Sequence, residues 1–210
     1  MKRSESNAAF APGPWVLIAM IAAAAMSRLL PHPPNFAPIE AMALFGGAYF
    51  ASRRLALLVP LLAMAASDLA LGALRGGTWL EYFTTLQYLP ALLANYACIA
   101  LTVALAFGLR SRVSGARVLG YSLAGSVLFF ALSNFVTWLT AFAVPNYAQW
   151  AMAFATPDNI ACTTGLLPCY VAALPFFQWT VLGTLFYSAV LFGGFAMLRR
   201  QLPILRAQTV

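Results

Sequence analysis

Long apolar stretches fill this chain, and its charges gather in the gaps between them. Six stretches stand out, at about 13–30, 36–51, 55–74, 89–109, 118–143 and 167–198. A helix needs roughly 20 apolar residues to cross the hydrocarbon of a bilayer, so the pattern predicts six membrane-spanning helices. Prolines and glycines mark their limits. Pro14 falls in the first turn of the first helix, where its missing N–H costs little. Pro31, Pro33 and Pro34 end that helix, since proline blocks continuation, and Gly76-Gly77 ends the third. The second stretch is short and carries Glu40, which predicts a tilted span or one held partly inside the bundle. The sixth is too long for one straight span, and Pro168 and Pro175 are expected to divide it into an outer lead-in segment and the helix proper. Residues 78–88 are aromatic and weakly polar, the composition of a segment lying at headgroup level.

Charge then orients the threading. Lys2 and Arg3, then Arg53 and Arg54, then Arg110, Arg112 and Arg117, then Arg199, Arg200 and Arg206 occupy every second gap. The gaps between, near 31–37, 75–82 and 144–165, hold only Arg75. Cytoplasmic loops keep Lys and Arg, so both termini are expected on the cytoplasmic side. Composition agrees with lipid as the solvent: the 210 residues are 62% hydrophobic and 8% charged, against about 25% charged in a soluble domain. The net charge of +7 is therefore topological, and no basic–aromatic pattern accompanies it that would suit nucleic acid. The first stretch has the basic start of a signal peptide, but its apolar run over 15–30 is long for that role, and a retained helix is expected. The predicted fold is all-α: a polytopic membrane protein with six transmembrane helices, N-in and C-in, in a bacterial inner membrane. Residues 1–12 and 199–210 are read as cytoplasmic tails flanking one domain over 13–198.

The polar residues inside the stretches are unevenly distributed in depth. Arg28, His32, Asn35, Glu40, Asp68, Asn95, Asn134 and Gln178 fall toward the predicted outer side, while the inner parts of helices four and six carry little beyond Thr102 and Ser188. An ionised side chain at the bilayer centre costs about 2.5–3.5 kcal/mol on insertion scales, so Arg28, Glu40 and Asp68 are expected to face one another or a wet cavity. Two readings stay open. One is an ion pair such as Arg28–Asp68 that locks helices one and three; the other is a polar pocket open to the outside and sealed by apolar packing below.

Much chemistry is excluded by what is missing. His32 is the only histidine, which rules out a bis-histidine haem and the H-E-x-x-H zinc helix. Gly125-Ser126 lacks the G-x-S-x-G nucleophile pattern, and no P-loop occurs, so the chain does not hydrolyse ATP by itself. No catalytic residue, metal or cofactor is expected, and the chain is read as a non-enzyme. Cys98 is expected to be a packing residue. Cys162 and Cys169 lie in or beside the last outer gap, with a C-x6-C spacing that matches no usual redox or zinc pair. A structural bridge, two free thiols and redox chemistry all stay open.

Three stretches together resemble a known family: S-R-L-L-P-H-P-P-N-F-A-P-I-E-A-M-A-L-F-G-G at 27–47, Ser67-Asp68-Leu69 with Gly72, and L-L-P-C-Y-V-A-A-L-P-F-F at 166–177. The family is one of uncharacterised bacterial six-helix membrane proteins assigned to transport, with R-x-x-P-H-P-P-N-F its specific stretch. It is in turn similar to the substrate-binding (S) components of energy-coupling-factor vitamin transporters. The resemblance spans about 13–198. It implies capture of a small vitamin-like micronutrient in a pocket open to the periplasm, with release inward driven by a separate ATPase and coupling subunit. In S components an Ala-x-x-x-Ala face on the first helix meets the coupling subunit. Ala19 and Ala23 have that spacing, and small residues at i, i+4 allow close helix contact. Nickel and cobalt S components begin Met-His where this chain begins Met1-Lys2, and a cobalt-ligating loop cysteine is missing between helices three and four.

On this reading the pocket is lined by Arg28, His32, Asn35, Asp68, Glu81, Tyr82, Asn134, Trp138 and Tyr170. Arg28 would meet a carboxylate or phosphate of the ligand, Asp68 would accept from its donors, and Trp138 and Tyr170 would stack on a ring. Two rival readings are a membrane thiol–disulfide oxidoreductase using Cys162 and Cys169 with a quinone, and a non-transporting assembly factor whose outer polar groups only stabilise the bundle.

Overall fold

Prolines and glycines set most of the helix ends. A computed structural model of the chain describes residues 12–74, 89–154, 157–202 and 205. Among these residues the regular elements are all helical: α1 (Pro12–Met26), α2 (Ile39–Tyr49), α3 (Arg53–Leu74), α4 (Leu89–Ala106), α5 (Gly115–Ala143), α6 (Tyr147–Phe154), α7 (Pro157–Ala161), α8 (Leu166–Ser188) and α9 (Gly194–Gln201). Short 3-10 turns extend α1 through Leu29 and α4 through Leu109. A π-helical turn, Ala189–Gly193, joins α8 to α9.

Four described stretches are long and apolar enough to cross a membrane: Arg53–Leu74, Leu89–Leu109, Gly115–Ala143 and Leu166–Gln201, with Gly13–Leu29 a shorter apolar helix. Large apolar side chains stand uncovered on their outer faces, with Leu62 65% and Phe142 81% exposed. Such faces are stable against acyl chains and not against water. The chain is an all-helical, multi-pass membrane protein.

The second stretch departs from a continuous span. Its helix, α2, has 11 residues, about 16 Å at 1.5 Å per residue, against roughly 30 Å of hydrocarbon. All of them are buried, because α2 runs through the middle of the bundle and touches α1, α3, α4, α5 and α8. Small residues let the neighbours close in. A Cβ added at Gly47 would lie 2.5 Å from the Ala106 Cβ, and one at Gly46 2.9 Å from the Pro60 ring. The chain reaches α2 without helix: Phe36 N–H donates to Pro33 O, and Asn35 turns the backbone at φ 65°, a left-handed value that Asn tolerates better than most residues. Phe36 and Ala37 lie against Gly183, where a Cβ would come within 2.9 Å of the Ala37 nitrogen. Gly183 is 17 residues past Leu166 in the 36-residue stretch Leu166–Gln201, so the non-helical segment descends to about mid-depth before α2 begins.

The last stretch also differs from expectation. Pro175 lies inside an unbroken α8, and the irregularity comes later, at the π turn. Pro168 falls in the first turn of α8, where no intrahelical partner awaits its nitrogen. Proline inside a membrane helix is tolerated when neighbouring groups or local adjustment take up the freed carbonyl, here that of Val171.

Among the described residues, the arginines other than Arg28 collect at one end of the bundle. Arg110 donates to Gly47 O and Phe50 O at 2.9 and 2.8 Å, tying the end of α4 to that of α2. Its guanidinium also lies 4.3 Å from the Phe107 ring centroid, with Arg53 at 5.5 Å from the same ring, as cation–π contacts favour. Arg199 stands over Phe195 and Tyr49.

Candidate functional site

At the end opposite the arginines, the helices enclose a cavity of about 440 Å³. Its walls come from the turn after α1, the non-helical segment before α2, the halves of α3, α4 and α5 at that end, α7 and α8. Helix pairing explains how these side chains meet. α5 and α8 run antiparallel, since Phe130 lies against Phe177 at 4.7 Å between centroids and Ser122 bonds Ser188 at 2.9 Å. Their halves at this end therefore face each other across the cavity, and Thr180 and Ile39 lie at its floor.

Arg28 borders this space but is already engaged. Its guanidinium donates to Asp68 Oδ1 at 2.8 Å, to the Ser67 hydroxyl and to the Met64 sulfur. Tyr96 donates to the other Asp68 oxygen at 3.2 Å. The Arg28 and Asp68 side chains are only 12% and 8% exposed. The lock between α1 and α3 is present, and a chamber with polar groups in its wall lies beside it.

Of the expected pocket residues, Arg28, His32, Asn35 and Asn134 line the cavity. Asp68 does not line it; it reaches the chamber only through Arg28. Trp138 also lies off the cavity, in a run of rings with Phe135 and exposed Phe142. Tyr170 is turned away as well, its hydroxyl donating to Ala131 O and its ring against Phe130. Glu81 and Tyr82 lie outside the described residues. The rings that do line the chamber are Phe129, Phe130, Phe176 and Phe177.

Four polar wall residues were not among the expected ones: Ser133, Thr137, Asn159 and Thr180. The hydroxyls of Ser133 and Thr137 donate to carbonyls four residues back, which leaves their oxygen lone pairs to face the chamber. A spacing of four places Ser133 and Thr137 on one helix face, and that signal was readable. Asn95, noted as an outer polar residue, lines the cavity too.

Cys162 and Cys169 are joined by a disulfide. It ties the end of α7 to the first turn of α8 around Gly165, whose φ of 150° suits glycine, and both cysteines border the cavity. Cys98 is free and buried, as a packing residue should be. Ala19 and Ala23 stand exposed along the outer face of α1. Glu40 does not meet Arg28 and Asp68. It lies beneath the chamber, where Thr184 donates to its Oε2 at 3.2 Å. Among the described residues no three His, Cys, Asp or Glu side chains cluster as transition-metal ligands.

A family described as of unknown function, DUF6580, matches residues 8–205 of the chain. No curated protein and no solved structure matches it.

Proposed function

We propose that this chain, a member of the DUF6580 family of unknown function, is a substrate-binding component for uptake of a small vitamin-like solute across a bacterial inner membrane. It threads the bilayer six times, the second pass being the broken one made of residues 31–38 and α2. The arginine-rich end is cytoplasmic by the positive-inside rule, which turns the chamber to the periplasm. No chemical step is assigned to the chain.

One observation carries this reading: a cavity of about 440 Å³ at the arginine-poor end, walled by phenylalanine rings and amide and hydroxyl groups. That volume falls in the range of about 300–1,000 Å³ usual for small-molecule sites. The wall chemistry narrows the solute. Arg28 is neutralised by Asp68, so a carboxylate or phosphate would have to displace an existing partner. A neutral ring-bearing molecule with several hydrogen-bond donors fits better, its ring among the phenylalanines and its donors on Asn134, Ser133 and Thr137. Inward release then needs an energy source, and Ala19 and Ala23 on the open face of α1 offer the close contact that a coupling subunit of an ATPase module would use.

Native mass spectrometry of gently purified protein tests the proposal. A bound small molecule is expected, with occupancy lost on Asn134→Leu combined with Phe177→Ala. Retention of that molecule by the double variant overturns the site. A co-purifying protein without any small molecule replaces uptake by the assembly-factor reading. The disulfide supports structure more than redox exchange, because Cys162 and Cys169 are 3% and 1% exposed and exchange needs a thiolate to reach a sulfur.

A further inference from the structure

Glu40 is a buried carboxylate that the chamber does not use. It is 4% exposed, and only Oε2 has a hydrogen-bond partner. Oε1 has none, and among the described residues the ion pair present joins Arg28 to Asp68 and leaves Glu40 without a cation. Two hydroxyls close by are equally bare: Thr102 Oγ1 on α4 and Ser126 Oγ on α5, in residues 1% and 0% exposed. Other hydroxyls of α5 behave differently. Ser133, Thr137 and Thr140 each donate to the carbonyl four residues back, the usual resort of a helical hydroxyl, and Ser126 and Thr102 forgo that bond.

These groups come from elements that converge. A Cβ at Gly125, beside Ser126, would lie 3.5 Å from Thr102 Cγ2 and 3.7 Å from Glu40 Cβ. Ser122 bonds Ser188 across the antiparallel α5–α8 pair, so one turn outward on each helix brings Ser126 level with Thr184, the partner of Glu40. A buried polar group without a partner costs about 1–3 kcal/mol, and three of them around one point call for an occupant. A proton would neutralise Glu40 but could serve at most one of the two bare hydroxyls. The unpartnered atoms and the Thr184 hydroxyl are all oxygens, the choice of a hard cation. A single carboxylate balances a monovalent ion, whereas a divalent one would leave net charge at membrane depth.

We propose that Glu40, Thr102, Ser126 and Thr184 form a sodium-binding site at mid-depth, directly beneath the outer chamber. Its position gives it a use. Thr180 lines the chamber, Thr184 holds Glu40 one turn deeper, and Ser188 lines an open groove of about 910 Å³ that extends to Arg199 and Arg200. Thr180 and Ser188 are about 12 Å apart along α8, so the ion occupies a thin partition between two voids. Linkage of sodium to solute capture rests on the uptake reading; the site itself does not.

Binding of sodium-22 to detergent-purified protein, with no solute added and choline as the background cation, tests this. One saturable sodium per chain is expected, displaced by unlabelled sodium and poorly by equal potassium. Ser126→Ala and Thr102→Val should each weaken it by roughly tenfold or more, Glu40→Gln should abolish it, and Leu62→Ala on the lipid face should leave it unchanged. Should Glu40→Gln fail to accumulate, the two hydroxyl variants decide. Absence of saturable sodium binding overturns the proposal, as does binding that both hydroxyl variants leave intact. Neither failure touches the chamber, which the solute experiment tests separately.

Discussion

Replacing Asp68 by Asn separates the two roles that Arg28 and Asp68 can play. The pair is close, at 2.8 Å, and nearly buried. At an effective dielectric of about 20 the gross attraction at that distance is about 6 kcal/mol. Desolvation of the two ions offsets most of it, at several kcal/mol each. The pair as a whole therefore contributes little net stability, while breaking it from one side leaves an uncompensated charge. Breaking a buried pair costs about 3–5 kcal/mol. Arg28 keeps Ser67 and Met64 as partners and borders the chamber, so Asp68→Asn should fall near 3 kcal/mol, the low end of that range. Arg28→Met alone should cost a similar amount, since Tyr96 alone then holds the carboxylate. The double variant should lie within about 1 kcal/mol of the unaltered protein, because no charge is left orphaned. Equilibrium unfolding in mixed micelles of rising sodium dodecyl sulfate content measures all three, and the cycle yields the coupling directly. A loss below about 0.5 kcal/mol for Asp68→Asn, the level of an ordinary surface change, would refute the view that this pair clamps α1 to α3. Loss of bound solute in a fully stable Asp68→Asn protein would refute it too, and return Asp68 to the ligand.

Gly47→Ala should lower stability by about 1–3 kcal/mol, the usual cost of overpacking, since the new methyl would sit 2.5 Å from Ala106 Cβ and 2.8 Å from Val103 O; an unchanged unfolding midpoint would show that α2 and α4 are not in hard contact. Cys162→Ser with Cys169→Ser should cost about 2.5 kcal/mol by loop-closure entropy for so short a loop, read as the same fall in midpoint when the unaltered protein is reduced; a reduced protein as stable as the oxidised one would dismiss the bridge as a brace.

Much of this fold could be read from where the apolar runs stop. α3, α4 and α5 lie where the hydrophobic pattern put them, and the gathering of Arg53, Arg110 and Arg199 at one end follows from their place in alternate gaps. The truncation of α2 was harder to read, because a helix sealed in the centre of a bundle and one facing lipid are both apolar on every side. Only its shortness and Glu40 set it apart, and these fit a tilted span as well as one held partly inside the bundle. Phase around an all-apolar helix is equally silent. Trp138 and Phe130 sit eight residues apart on α5, yet Phe130 faces the chamber while Trp138 joins exposed Phe142. Hydroxyls carry the phase better, since Thr180, Thr184 and Ser188 recur every four residues along the one face of α8 that meets polar partners. Arg28, Glu40 and Asp68, expected to face one another or a wet cavity, do not all meet, because residues 31–38 are not level with the surface. They descend, and carry Glu40 below the chamber with them.

That descent explains why the centre of the bundle is built as it is. A helix that begins at mid-depth exposes its first N–H groups where no water can satisfy them. Lipid cannot surround such an end, so protein must, and α2 is accordingly buried along its whole length. Pro38 at the N-cap brings no N–H that would need a partner, and the carboxylate of Glu40 adds negative charge at the positive end of the helix. The same rule admits irregular backbone at this depth only where it lines a cavity or is enclosed by protein. Pro34, Asn35 and Ala37 do line the chamber. The broken second pass, the chamber above it and the carboxylate below it are therefore one arrangement: filling the chamber with leucines would strand the segment that leads to α2, and a continuous helix in its place would remove both the chamber wall and the reason for Glu40 to be there.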